Sequence, residues 1–422
     1  MSQLLPRIDP QRVRTLVRPA FDDEALAEAR SIVAAVAAEG ETAVRRFAER
    51  FGERQPGEPL LLERPAIEAA AAQVDRQTRA LLGRVAQRVR AFAEAQLASL
   101  RPLRFDAAWG RAGHTLEPVE TAGCYAPAGA APLPSSALMT VIPARVAGVA
   151  TVVCATPNPS PLMLAAADIA EADAVLCVGG AHAVAAMAFG AGAPRCDMVV
   201  GPGGRHVTAA KHVVSARVGI DMLAGPSELL VVADDAADPQ LVAADLLAQA
   251  EHDEAARPLL IAFSEPFVER VEAALRGQLA ALPEANRRRA RSALANGGAL
   301  VAADESQAVE LANVLAVEHV ELQTRDPASL AQRIRHAGAL FLGAASAEVA
   351  GDYGAGPNHT LPTGGACRHG AGLSPLTFIR LRTWLELRRG EASRDLLSDA
   401  AALARLETLE AHAAAALCRL DV

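Results

Sequence analysis

Ala150-Thr151-Val152-Val153-Cys154, Asp173-Ala174-Val175-Leu176-Cys177-Val178, Cys196-Asp197-Met198-Val199-Val200 and Glu228-Leu229-Leu230-Val231-Val232-Ala233 are four short apolar runs. Runs this short, rich in valine and without strict polar alternation, read as strands buried on both faces. Helical stretches fall between them, and strand–helix alternation implies a parallel sheet covered by helices. A second series follows: a helix at about 239–251, a strand at 258–263, helices to about 293, and strands near 298–302, 319–323 and 339–342.

Outward from this α/β body the character changes. Asp22 and Asp23 can cap a helical segment running to about Phe51, and a second helical region spans about Arg64 to Ser99. Residues 123–136 and 351–373 are loops dense in glycine and proline. After the second loop the spacing predicts two polar helices, roughly 376–390 and 396–417. A helical tail detached from an α/β body is expected to pack on a partner subunit.

Composition narrows the function classes. A net charge of -8 over 422 residues argues against a phosphate-binding surface and so against nucleic acid. It leaves room for a small anionic ligand. No run is long and apolar enough to span a bilayer, and the N-terminus has no apolar signal core. The six cysteines are scattered, without a Cys-X-X-Cys pair, which reads as reduced thiols in a cytoplasmic protein. Lys211 is the only lysine; it marks a place that needs a compact ammonium, or a chance survivor among arginines.

Chemistry-bearing residues gather in a few segments. Gln249 and His252 lie three apart on the expected helix, hence on one face. Glu318 and His319 sit at a strand edge, where a carboxylate beside an imidazole makes a plausible acid–base pair. The loop Gly351-Asp352-Tyr353-Gly-Ala-Gly-Pro357-Asn358-His359 places polar groups between glycines, and Glu407 and His412 lie in the terminal helix. Each motif alone is weak: a Gln-X-X-His pair is usually a solvated helix face. In combination, histidine and aspartate are good zinc ligands, and a glutamine oxygen is a less usual one. Gly201-Pro202-Gly203-Gly204 follows a strand and precedes a helix; its amides could meet a phosphate, but on spacing alone it reads as a tight turn.

Further segments join these: Gly123-Cys-Tyr125-Ala-Pro127, Pro134-Ser135-Ser136-Ala-Leu-Met139, Val178-Gly179-Gly180-Ala181, Val200-Gly-Pro-Gly203 and Val207-Thr208-Ala-Ala-Lys211. Ile220-Asp221-Met222-Leu-Ala-Gly225-Pro226-Ser227-Glu228 and Asn358-His359-Thr-Leu-Pro362-Thr363 complete the series. Taken in order, they resemble the histidinol dehydrogenase family over nearly the whole chain.

The resemblance implies oxidation of L-histidinol, through the aldehyde, to L-histidine with two NAD⁺. Gln249, His252, Asp352 and His412 fall on the zinc-ligand positions, with one Zn²⁺ per subunit holding the substrate's imidazole and amine. Glu318 and His319 fall on the acid–base positions: His319 takes the alcohol proton and Glu318 activates water. The substrate set is Ser227, Gln249, His252, His319, Asp352, Tyr353, His359, Glu407 and His412. In the family the tail crosses to the other subunit, which implies a homodimer with shared sites. The cofactor positions are Tyr125, His182 and Gly204. Departures cluster there: Ala128-Gly129 replaces Gly-Gly, His182 replaces Gln, Gly204 replaces Asn, and His206 stands at an aromatic position. Val317 replaces a usual proline before Glu318. Two other functions stay open: a paralogue with another amino alcohol or an altered cofactor mode, and an inactive, zinc-stapled dimeric binding protein.

The expected architecture is two Rossmann-like parallel-sheet domains with a helical N-terminal region and a helical C-terminal tail. The expected partition is an N-terminal segment (1–22), a discontinuous first domain (23–124 plus 231–373), a cofactor-side domain (125–230) and a dimerisation tail (374–422).

Overall fold

The computed structural model describes residues 3–17, 20–128 and 132–420; Gly129 and its neighbours to 131, in the first glycine-rich loop, lie outside the described residues. Helix α1 (Asp23–Glu39) starts on Asp22, whose carboxylate accepts the Ala25 N–H, and ends at Gly40, with φ of 62°. That left-handed glycine divides the long helix expected to Phe51 into α1 and α2 (Glu41–Arg50). Strand β1 (Leu61–Glu63), α3 (Arg64–Ala71) and α4 (Arg76–Ala98) follow, then the hairpin β2 (Leu103–Ala107) and β3 (Gly110–Pro118). The first parallel series is β4 (Thr121–Tyr125), α5 (Pro134–Ala147), β5 (Thr151–Ala155), α6 (Pro161–Ile169), β6 (Ala174–Leu176), α7 (Gly180–Phe189), β7 (Met198–Val200), α8 (Arg205–Val214) and β8 (Gly219–Ile220).

These strands form a six-stranded sheet in the order β1-β6-β5-β4-β7-β8, parallel except where β1 meets β6. One face is covered by α3–α6, through side chains such as Ile67, Leu82, Val89, Leu138 and Ile142. The other is covered by α1, α2, α7 and α8, through Val33, Val36, Phe47, Val184 and Val207. Strands buried on both sides need no alternation, which is why the runs read as continuous apolar stretches.

The second series is β9 (Glu228–Ala233), α9 (Pro239–His252), β10 (Arg257–Ala262), α10 (Glu265–Ala281), α11 (Glu284–Asn296), β11 (Gly298–Val301), α12 (Glu305–Leu315), β12 (His319–Gln323), α13 (Pro327–Arg333), β13 (Ala339–Leu342) and α14 (Glu348–Asp352). Its sheet is wholly parallel, in the order β11-β10-β9-β12-β13. The doubly wound α/β class read from the apolar runs is thus present twice.

Two expectations are corrected. The sheets divide the chain differently from the expected partition. Residues 23–124 do not join 231–373: α1–α4 bury their apolar faces on the first sheet, and β4 lies at its centre. Chain order could not show which sheet a flanking helix covers. The tail also begins with a strand. Residues expected as a helix at 376–390 form β14 (Ile379–Leu387), antiparallel to β3 in a three-stranded sheet β14-β3-β2. Its leucines at 381, 385 and 387 recur with the period of two that suits a strand. Helices α15 (Glu391–Leu406) and α16 (Glu410–Leu417) then end the described chain. Among the described residues no helix is long and apolar enough to cross a membrane.

Candidate active site

The two sheets meet at a small cavity of about 110 Å³. On the first sheet it lies beyond the carboxyl ends of β4 and β7, represented by Pro127 and Pro202. Strand order reverses between these two strands, the crevice where open α/β sheets bind ligands. On the second sheet it lies at the amino ends of β9 and β12, supplied by Ser227 and by Glu318 and His319. Gln249 and His252 reach it from the last turn of α9, whose direction returns the chain to that end of the sheet. Asp352 and Tyr353 come from the end of α14, and His359 from the loop after it.

Eight expected residues therefore converge: Ser227, Gln249, His252, Glu318, His319, Asp352, Tyr353 and His359. Two do not. Glu407, in the turn after α15, and His412, on α16, lie exposed and line no part of this cavity. Sequence reasoning gave no role to Glu348 or to Ser135 and Ser136 at the start of α5, all of which line it. The four-residue spacing of Glu348 and Asp352 on one turn was the available signal for the first.

Glu318 is held by the backbone N–H of Glu228 at 3.0 Å and by the Ser227 side chain. Burial raises its carboxyl well above the usual range, and the charge on Asp352 pushes the same way. The His319 ring lies between acids: Nδ1 is 3.6 Å from Glu318, and Nε2 is 3.8 Å from Glu348 and 4.0 Å from Asp352. Burial lowers its imidazole from 6.5 to about 4, so the ring is neutral near pH 7 and open to a proton. Burial also lowers His359, whose Nδ1 lies 3.1 Å from the Asp352 carbonyl oxygen. Glu348 is raised to about 10 by burial and by its neighbour Asp352.

The donor set suits a metal ion. The Gln249 side-chain oxygen is buried without a hydrogen-bond partner, an arrangement that costs about 1–3 kcal/mol unless a ligand takes it up. His252 and Asp352 line the same space. His319, Glu348 and Asp352 also bring ligand atoms within 4.8 Å of one another, so Glu348 is an additional candidate ligand. Asp352 is common to both groupings.

Of the expected cofactor contacts only Gly204 is open: a Cβ there would meet nothing within 4 Å, at the N-terminus of α8. The other two are buried. Tyr125 is buried, and its hydroxyl accepts the Gly180 N–H at 3.1 Å. His182 is buried too, with Nε2 2.8 Å from a Glu53 oxygen that also accepts the Gly179 N–H. A carboxylate thus occupies the N-terminus of α7, beside the Tyr125 hydroxyl that takes the next amide. A free helix N-terminus beside an open glycine still suits a dinucleotide phosphate at α8.

Known proteins share this fold. The family model described as histidinol dehydrogenase matches residues 17–420. A histidinol dehydrogenase of Syntrophotalea carbinolica is 44% identical over 404 residues, covering 94% of this chain and 92% of that protein. That of Thermus thermophilus is 42% identical, covering 93% and 94%. The chain belongs to the histidinol dehydrogenase family. The crystal structure of histidinol dehydrogenase from Elizabethkingia anophelis superposes with a TM-score of 0.91 at 29% identity, over 100% of this chain and 99% of that one. As a member of the histidinol dehydrogenase family the chain is an oxidoreductase, and the cavity between its sheets is the candidate site for that chemistry.

Proposed function

We propose that this protein oxidises L-histidinol, through the aldehyde, to L-histidine, with NAD⁺ as acceptor and a zinc ion in the site. One observation carries the reading: eight polar residues from separate segments of the chain converge on one cavity that holds a neutral, buried imidazole beside three carboxyl groups. Zinc bound by Gln249, His252 and Asp352 would anchor the substrate's imidazole and amine, and NAD⁺ would accept hydride in each oxidation.

The chain's own groups do the rest. His319, neutral at pH 7, accepts the hydroxyl proton as hydride leaves. Glu318, in the carboxylate form that hydrogen bonds from the Ser227 side chain and the Glu228 N–H favour against its burial, receives a proton from the water that hydrates the aldehyde. Tyr353 and His359 close the walls and orient the substrate. The ordered supports around Glu318 and His319 favour catalysis over a purely structural metal staple.

The same reading includes a homodimer. Leu103, Phe105, Leu381 and Leu385 are exposed and, by their register, share one face of the β14-β3-β2 sheet. An apolar sheet face of this kind marks an interface, and closed two-fold symmetry is its commonest form. Within such a dimer the tail of a second copy would deliver Glu407 and His412 to the cavity, where three metal donors leave a fourth position to fill. Six free cysteines, four of them buried, fit a cytoplasmic enzyme.

The test is NADH formation by purified protein with L-histidinol and NAD⁺, with and without a chelator. Chelator-sensitive NADH production is expected. Absence of NADH from histidinol would sink the reading, and NADH only from another amino alcohol would replace the substrate.

A further inference from the structure

Lys211, the sole lysine, lies in α8 and is 2% exposed. Its Nζ donates to the Gly201 carbonyl at 3.0 Å and pairs with Asp221 Oδ1. The other Asp221 oxygen accepts the Gly201 N–H at 2.7 Å, and Oδ1 also accepts the Met222 N–H at 2.7 Å. Both backbone polar groups of Gly201 are therefore held by one buried ion pair. Gly201 has φ of 117°, and a Cβ there would run into the Tyr125 carbonyl. The pair thus ties the carboxyl end of β7 to that of β8, with Gly201 lying close against Tyr125 at the end of β4, at the point where strand order reverses. The next residue, Pro202, lines the cavity, and two residues further Gly204 caps α8.

A buried ion pair is a weak source of stability and a better source of a unique geometry. The chain uses arginine at every other basic position, yet here keeps the compact ammonium. The longer planar guanidinium carries its donors in a fixed fork and would push the turn outward.

We propose that Lys211 is a positioning residue: with Asp221 it locks the Gly201–Gly204 turn, so that Pro202 forms a fixed wall of the cavity and the amides at the start of α8 stay aimed at the cofactor phosphates. The proposal rests on the NAD⁺ reading above. The variants are Lys211→Arg, Lys211→Met and Asp221→Asn. Two measurements are made on full-length protein: steady-state kinetics with histidinol and NAD⁺, and amide hydrogen exchange without ligands. Lys211→Arg is expected to raise KM for NAD⁺ by about ten-fold while kcat falls less than about three-fold. Amides at 200–207 should exchange at least about ten-fold faster, with those of β9–β13 unchanged. A merely structural role would lower kcat through loss of folded enzyme and leave KM for NAD⁺ as it was. Lys211→Arg with the unsubstituted protein's KM and exchange overturns the proposal. If the unsubstituted protein does not use NAD⁺, the cofactor reading fails alone; exchange at 200–207 then decides the clasp, with Asp221→Asn as the second variant should Lys211→Met fail to fold.

Discussion

Replacing His319 with alanine separates two roles that the geometry offers this ring. Its Nε2 lies 3.8 Å from Glu348 and 4.0 Å from Asp352, so it could be a proton acceptor or a third metal ligand. As an acceptor its state is set by burial, which holds the imidazole at about 4. At pH 7 that is about three units below the solution, so roughly one ring in a thousand is protonated and nearly every site is ready to accept. Loss of a positioned general base lowers turnover by about 10²–10⁴-fold, or about 2.7–5.4 kcal/mol of barrier at 1.36 per decade. The structural effect should be smaller. His319 Nδ1 has no hydrogen-bond partner, and the ring packs on Phe341 with centroids 5.9 Å apart. Folding stability should therefore fall by about 1–2 kcal/mol. The assay is NADH formation at saturating substrates beside zinc content measured on the same sample, with chemical denaturation as a control. The expected result is a loss of turnover of at least a hundred-fold with zinc content unchanged. Loss of zinc in step with activity would refute the assignment and place His319 in the metal shell with Glu348 and Asp352.

Three other outcomes follow from particular contacts. Mixing inactive His319→Ala and His412→Ala proteins under conditions that exchange subunits should restore about a quarter of full activity, because half the dimers are mixed and one of their two sites is intact; no recovery would mean that sites are not shared. Leu381→Glu with Leu385→Glu places charges on the exposed sheet face and should yield monomers by light scattering, whereas an unchanged dimer would locate the interface elsewhere. Glu272 opposes its own burial by accepting the N–H groups of Leu5 and Leu4 and by pairing with Arg7, and its carboxyl sits below the ordinary 4.5. Its stabilising contribution is present above that value and lost as pH falls through the lower folded one, so the Leu4 and Leu5 amides should lose exchange protection as the solution is acidified below 4.5; Glu272→Gln should flatten that dependence, and the same acid dependence in Glu272→Gln would count against the contact.

Much was legible in the residues alone. Short valine-rich runs determine parallel strands because a strand covered on both faces excludes polar side chains, and the runs at 150–154, 173–178, 196–200 and 228–233 all fall in the two sheets. Gln249 and His252 could be placed on one face because helical spacing is local, and both reach the cavity. Other features depend on contacts between distant segments. The helices α1–α4 cover the first sheet, although sequence order permits either, because the choice rests on which apolar surfaces meet. β14 became a strand through pairing with β3, some 265 residues earlier, as in Arg382 with Thr115. The resemblance puts His182 at a cofactor position, but its burial against Glu53, 129 residues away, could not be read from the sequence. The four metal positions show the same boundary: Gln249, His252 and Asp352 share one cavity in a single chain, whereas His412 stands on the exposed tail. Residue types and spacing offered candidate donors, and the resemblance to the family singled out four of them; which of them meet was decided by the tertiary structure, because burial and proximity between remote segments exist only once the sheets have packed.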